Sequence, residues 1–338
     1  MAGVILGIIA RRLMVAIPMM LVVSVMIFVV LRMLPADPLA MSLPPNATQE
    51  EAEAMRRELG LDRPIMEQYA IWLGHLVEGD LGRSIAFRQS VLDLIATTLP
   101  ATIELVFLGL LLGISVGVAG GLFMFHVRGT RKEPAADLVS TILMSIPEFL
   151  WAIFLILGLG VALDLLPFIG RISPEFKVER HTGFLLLDTL LSGQFDAFVN
   201  VLMHMILPTM ALALALSPLV MRVLRSSLLE TILEDYVTMA RLRGLSERRI
   251  LLRHALKNAA LPTLSLIGVQ AGFLFGGTLL VEVIYSYPGL GNMMVEAVRN
   301  QDLPIIQGVA LTYCLVVLFL NAMVDIAYLV LNPRLRPQ

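Results

Sequence analysis

Six runs of mostly apolar residues, each long enough to cross a bilayer, decide what this chain can fold into. They lie at about 13–34, 100–126, 138–163, 202–222, 262–282 and 305–330. About 20 such residues span the hydrocarbon, where no backbone group can go unpaired, so each run commits to helix. Composition agrees: 57% of the residues are hydrophobic, 15% are charged, and mean hydropathy is +0.83. The first run follows Arg11–Arg12, but its apolar stretch from Leu13 to Leu31 is too long for a secretory signal. No clear small-x-small cleavage site follows it, so an uncleaved first span is expected. The single cysteine, Cys314, excludes an internal disulfide and any cysteine-based metal cluster.

The basic residues set the orientation. Of 25 Lys and Arg, 15 fall in alternate segments: Arg11 and Arg12, then Arg128, Arg131 and Lys132, then eight from Arg222 to Lys257, then Arg334 and Arg336. The intervening segments are acid-rich, and residues 36–97 hold ten carboxylates against five arginines. By the positive-inside rule both termini and the loop 223–261 face the cytoplasm, which an even span count allows. The expected fold is an all-α integral membrane protein with six spans, N-in and C-in. A net charge of −2 gives no reason to expect nucleic acid as a partner.

Residues 36–97 are too long for a connector and should form a helical insertion on the outer surface. Thr48-Gln49-Glu50-Glu51 is a capping-box pattern whose helix should stop at Gly60. A second helix should begin near Asp62, with Pro64 in its first turn. Ile65, Tyr69, Trp72, Leu73 and Leu76 give it an apolar face, and Gly79–Asp80 should end it. Arg56, Trp72 and Asp80 are the insertion's candidate contacts with an outside partner. The segment 164–200 reads as a loop with a short helix. Asn46-Ala47-Thr48 matches a glycosylation sequon, a weak signal.

Enzyme motifs find no support. Gly113-Ile-Ser-Val-Gly117 fits a nucleophile-elbow pattern but lies inside a span. With Gly121 it makes a four-spaced small-residue stripe suited to close helix packing. No phosphate-binding G-x-x-x-x-G-K-[ST] and no H-E-x-x-H occurs, and the five histidines are scattered, so neither ATP nor a metal is expected on this chain. Polar residues at membrane depth are costly unless paired or wetted. Glu104, Glu148, Gln270, Asn321 and Asp325 are such residues. Each is either a helix–helix contact or a pathway residue, with Glu148, Gln270 and Glu104 the pathway candidates.

The segment 235–257, DYVTMARLRGLSERRILLRHALK, is strongly basic yet lies between two apolar runs. Upstream, Leu228/Leu229, Ile232/Leu233, Tyr236/Val237 and Ala240 recur every four residues, predicting one amphipathic helix. Gly244 can end it in a left-handed conformation. Ser246 can cap a second helix that carries Ile250, Leu251, Ala255, Leu256 and Ala259 on its apolar side. A lipid anchor needs neither a glycine-fixed turn nor an ordered cap; a docking element for a rigid partner needs both.

This stretch resembles the cytoplasmic coupling loop of permease subunits of binding-protein-dependent ABC importers, in the dipeptide, oligopeptide and nickel branch. Further motifs in matching order cover nearly the whole chain: LPADP after the first span, RRELGLDRPI and GDLGRS in the outer insertion, and TLPATIEL opening span two. SIPEFL lies in span three, VEVIYSYPGLG follows span five, LPIIQG precedes span six, and the chain ends in NAMVDIAYLVLNPRLR. The general loop motif begins Glu-Ala-Ala; here Thr238-Met239-Ala240 keeps only the last alanine, with Gly244 following. Its tail positions hold His254, Leu256 and Lys257, and the nearest proline is Pro262. Glu148 stands after SIP, where a small or neutral residue is expected.

The resemblance implies one permease domain, 1–338, of the type I ABC-importer fold in a bacterial or archaeal cytoplasmic membrane. It also implies alternating access and import of peptides, nickel complexes or oligosaccharides. The implied partners are a second homologous permease, two ATPase subunits that carry ATP and Mg, a solute-binding protein, and membrane lipid. It assigns ATPase docking to Asp235, Tyr236, Ala240, Arg241, Gly244, Leu245, Ser246 and Arg248. The competing expectation is a stand-alone channel or secondary transporter with a basic lipid-anchoring loop.

Overall fold

The computed structural model describes residues 2–33, Glu50 and residues 62–331; among these, regular structure is helical apart from one bridged pair, Arg83 and Ser90. Helix α1 (Ala2–Met33) leads to α2 (Ile65–Val77) and α3 (Val91–His126). Next come α4 (Glu133–Ser145) and α5 (Glu148–Leu155), the latter continuing as a π-helical segment, Ile156–Ala162. Helices α6 (Leu185–Leu191), α7 (Phe195–Thr231) and α8 (Asp235–Leu242) follow. Then α9 (Glu247–Ile250) passes through a π-helical stretch, Leu251–Ala255, into α10 (Leu256–Ile284). Helices α11 (Leu290–Arg299) and α12 (Leu303–Leu331) complete the order.

Among the described residues five stretches are long and apolar enough to cross a membrane: Met14–Met33, Val91–His126, Phe195–Thr231, Glu247–Ile284 and Leu303–Val324. The expected third span, 138–163, differs. It is two helices, α4 and α5 with its continuation, meeting at 98°. Pro147 is the cause: it lacks an N–H and disfavours helical backbone at the preceding residue, and Ile146 is accordingly extended at φ −102°, ψ 117°.

The glycine stripe packs as its spacing predicts, and Gly109 extends it by a turn. Gly109, Gly113, Gly117 and Gly121 meet Leu212, Leu216, Val220 and Leu224, ascending together, so α3 and α7 run parallel in close contact. Ser115 only bonds back to the Leu111 carbonyl, at 2.6 Å, so no nucleophile is built there. A Cβ on Gly117 would stand 2.5 Å from Val220 Cβ, whereas one on Gly158 would meet nothing within 4 Å. Overpacking of this kind costs about 1–3 kcal/mol. Gly117→Leu is therefore expected to lower the unfolding midpoint in detergent by several degrees, and Gly158→Ala to leave it unchanged.

Helix α10 runs antiparallel to α3 and α7. Its first turns, with the π-helical stretch before them, bring Ala259 and Ala255 against Phe125, Leu224 and Leu228 at the end of the bundle that carries the basic residues. It then pairs antiparallel with α12, where Gly268 meets Val324, Gly272 meets Val317, and the Phe275 and Tyr313 rings lie 4.9 Å apart. At the opposite end Leu31, Val91, Ile95, Leu290, Ile305 and Val309 form a second buried cluster.

Helix α2 begins directly after Pro64 and lies against α1. Tyr69 packs edge-on and Trp72 tilted against Phe28, and the Tyr69 and Ser24 hydroxyls are 2.8 Å apart. Gly79, at φ +84°, ends α2, with Asp80 N–H donating to the His75 carbonyl and Gly79 N–H to the Leu76 carbonyl. Trp72 thus gives much of its ring to α1, while Asp80 is exposed beside the helix-ending glycine. The helix expected between Thr48 and Gly60, Arg56 within it, and the Asn46 sequon lie outside the described residues, Glu50 excepted.

Candidate functional site

The basic segment folds at the end of the bundle where α3, α7 and α10 converge. The single amphipathic helix expected through Leu228 and Ala240 is in fact two. Helix α7 stops at Thr231, Glu234 is extended at φ −68°, ψ 145°, and α8 restarts at Asp235. The four-residue apolar repeat survives the break, which is why spacing alone hides it. On the near side Leu228 packs into the bundle, and beyond the break Val237 and Ala240 pack on Ile250 with Leu245.

Gly244 performs the expected task. At φ +75° it ends α8 with its N–H donating to the Arg241 carbonyl at 2.9 Å, while Leu245 N–H reaches the Ala240 carbonyl at 3.2 Å. That paired pattern satisfies two terminal carbonyls and turns the chain sharply. Arg241 then straps the turn, donating from Nε to Glu247 Oε1 at 2.8 Å and from Nη2 to Oε2 at 3.3 Å. The Arg241 hydrogen bond holds the Glu247 carboxyl below its usual range, and Glu247 in turn raises the Arg241 guanidinium. Ser246 occupies the cap position, but its hydroxyl makes no capping bond. Helix α9 is a single turn and reaches α10 only through the π-helical stretch, so the regular second helix expected from sequence is shorter and wider.

The element presents an unusual surface. Leu242 is 77% exposed and Leu233 80%, with Met239 and Tyr236 also exposed beside them. Asp235, Arg243 and Arg248 are exposed around these side chains. Tyr236 is held by Asn258, which donates to its hydroxyl at 2.7 Å. Behind the turn lies a cavity of 630 Å³ lined by Phe125, Arg128, Ile232, Arg241, Glu247 and Leu251. Arg128 stands 3.7 Å over the Phe125 ring and donates to its carbonyl.

A link from this end to the bent helix has no signature in the local sequence. Arg225 on α7 forms ion pairs with both Glu133 and Asp137 on α4, and Arg222 donates to Thr141 Oγ1 at 2.7 Å. The partners lie more than eighty residues away in sequence, so no local pattern signals them.

The three pathway candidates separate. Glu104 is 7% exposed, ion-paired with Arg171, and accepts the Leu186 N–H at 2.9 Å. It therefore fixes the 164–194 segment to α3. Asp188 secures the same segment: burial pushes its carboxyl up, but Thr182 Oγ1 and the Thr182 and Gly183 N–H groups outweigh this and hold it low. His204 is likewise structural, with Nδ1 2.8 Å from the Asn200 carbonyl. Glu148 and Gln270 are half-buried on α5 and α10, and neither has a partner among the described residues.

Besides Asp188, two buried carboxylates among the described residues went unrecognised. Glu282, 0% exposed, accepts Thr102 Oγ1 at 2.6 Å and the N–H groups of Gly291 and Asn292 at 2.7 and 3.0 Å. It thereby caps α11. A Cβ on Gly289 or Gly291 would collide with it, which gives YPGLG its glycines. Asp302 accepts Ser84 Oγ at 2.6 Å and Ala86 N–H at 3.0 Å, tying the GDLGRS turn to the start of α12.

Spanning helices in close parallel and antiparallel contact, bearing an exposed turn at one end, make this a polytopic helical membrane protein. Residues 109–337 match the family described as "Binding-protein-dependent transport system inner membrane component", and residues 5–106 match its N-terminal counterpart. The di/tripeptide transport system permease protein DppB of Pseudomonas aeruginosa is 37% identical over 335 residues, covering 98% of this chain and 99% of that one. The dipeptide permease DppB of Escherichia coli K12 is 34% identical over 97% of this chain and 98% of its own length. GsiC, the glutathione transport system permease of Shigella flexneri, is 31% identical over 98% and 99%. The fold is similar to a chain of the inward-facing MetNI methionine ABC transporter, with TM-score 0.55 and 14% identity over 71% of this chain and 97% of that one.

The chain belongs to the binding-protein-dependent inner-membrane permease family. It is a multi-pass permease subunit of an ABC importer in the bacterial cytoplasmic membrane, working with ATPase and solute-binding partners.

Proposed function

We propose that this permease carries di- or tripeptides, or solutes of similar chemistry, across the membrane by alternating access, paired with a second homologous permease. The substrate class follows the relatives named for di/tripeptide, dipeptide and glutathione transport. The Gly244-closed turn carries the coupling reading. Asp235, Tyr236, Arg241, Gly244, Ser246 and Arg248 lie on or beside an exposed face, with Ala240 and Leu245 packed beneath it. A rigid ATPase surface gripping that face would move it as a unit, and the ion pairs of Arg225 would pass the motion to α4. Coupling requires a contact whose two states differ.

Six spans with both termini inside are supported by direction. Because α3 and α7 run parallel, the chain between them must return across the bundle, and the bent pair α4–α5 supplies that crossing. The strongly basic end is then cytoplasmic. The domain is a single unit over 1–338. The insertion 36–97 faces the solute-binding protein, and the loop 223–261 faces the ATPases. ATP and Mg sit on those ATPases rather than on this chain, and lipid surrounds the exposed apolar helix faces. Glu148 and Gln270 line the pathway.

Reconstitution tests this reading. Co-expressed with its neighbouring permease and ATPase subunits, the chain is expected to co-purify with them. Labelled dialanine should then enter proteoliposomes only with ATP and binding protein present. Uptake by this chain alone, without any ATPase, would establish a channel or secondary transporter instead.

A further inference from the structure

The acidic side chains in the bundle differ in one respect. Glu104 and Glu282 each have protein donors around them, whereas Glu148 has neither an ion pair nor a hydrogen bond among the described residues. It opens α5 immediately after the 98° break, and Pro147 fixes it there. Its Oε1 would lie 2.8 Å from a Cβ on Gly277, so the carboxylate occupies space left by that bare Cα on α10. Gln270 is seven residues earlier on α10. Seven residues are nearly two full turns, which places Gln270 on the same face about 10 Å nearer the basic end. It too is half-buried and unpartnered among the described residues.

A carboxylate at membrane depth is costly unless water or a counter-charge meets it. No cation among the described residues forms an ion pair with Glu148. A fixed negative charge lining a conduit favours cationic groups and disfavours anionic ones. We propose that Glu148 is a transit subsite for a protonated amine on the moving solute, with Gln270 the next polar contact toward the basic end. This rests on the reading that both residues line the pathway. The amine is either the α-ammonium of a peptide or a lysyl side chain.

The test uses the complete importer in proteoliposomes, with Cys314→Ala and Gln270→Cys introduced. Cationic and anionic methanethiosulfonate reagents are compared at the introduced thiol with Glu148 intact and with Glu148→Gln. A charge about 10 Å away biases each such reagent by more than about tenfold when the effective dielectric is about 20, and by less where water screens it. The cationic-to-anionic rate ratio is expected to fall at least fivefold on Glu148→Gln. In otherwise unmodified importer, Glu148→Gln should slow alanyl-alanine and alanyl-lysine alike if the α-ammonium is the ligand, and alanyl-lysine alone if the side chain is. An unchanged reagent ratio, or wild-type uptake of both peptides, overturns the subsite. If neither reagent reaches the introduced thiol, the pathway reading itself fails and takes the subsite with it.

Discussion

Glu282→Ala is expected to destabilise the permease more than any other single change at the end opposite the basic turn. The carboxylate is fully buried and accepts three hydrogen bonds, from Thr102 Oγ1, Gly291 N–H and Asn292 N–H. Thr102 Oγ1 also accepts the Leu290 N–H at 2.7 Å, so losing Glu282 loosens a fourth donor at the start of α11. Leaving a buried donor without an acceptor costs about 1–3 kcal/mol, and breaking a buried charged centre from one side about 3–5 kcal/mol in all. Against a net stability of about 5–15 kcal/mol that is a large fraction. For a chain of this size it corresponds to a fall of roughly 10 °C in unfolding midpoint. Thermal unfolding of the detergent-solubilised protein measures it. Glu282→Gln retains one acceptor oxygen and should lose about half as much. Gly289→Ala should approach the alanine variant, because its Cβ would overlap the carboxylate. A wild-type midpoint for Glu282→Ala would mean that α11 is held by its apolar face alone.

What could be read from the residues was whatever acts locally. Apolar runs commit to helix by their own length, and Gly244 and Gly79 stop helices through their own backbone preference, so these were legible. The glycine stripe announced close packing, but Leu212, Leu216, Val220 and Leu224, which fill it, lie about a hundred residues further on. Pro147 was visible, yet hydropathy cannot distinguish a straight span from two halves at 98°, because both bury the same residues. Glu104 could be placed at membrane depth but not given Arg171, 67 residues later, as its partner. Glu282 was overlooked because it follows an apolar run and looks like its end. The useful signal was the Pro-Gly-Leu-Gly after it, since two glycines so close imply something buried against their backbone.

Gly244→Val is expected to reduce ATP-driven uptake at least tenfold while leaving the amount of permease in the membrane unchanged. Nothing lies within 4 Å of a Cβ at this position, so packing cannot be the reason. The reason is φ +75°, where an L-residue costs about 1–2 kcal/mol and a β-branched one more. Valine relieves that strain by moving to negative φ, which breaks the bonds to the Ala240 and Arg241 carbonyls and separates Arg241 from Glu247. The exposed face of Tyr236, Met239 and Leu242 then no longer holds a fixed angle to α10. The bundle core is remote from the turn, so the unfolding midpoint should barely change, and co-purification with the ATPase should fall in step with uptake. Asparagine tolerates the left-handed region, so Gly244→Asn should keep most activity. Normal uptake by the valine variant would show that the turn need not be rigid to transmit motion. Loss by both variants would show instead that the partner packs directly on this Cα, because conformation alone separates valine from asparagine.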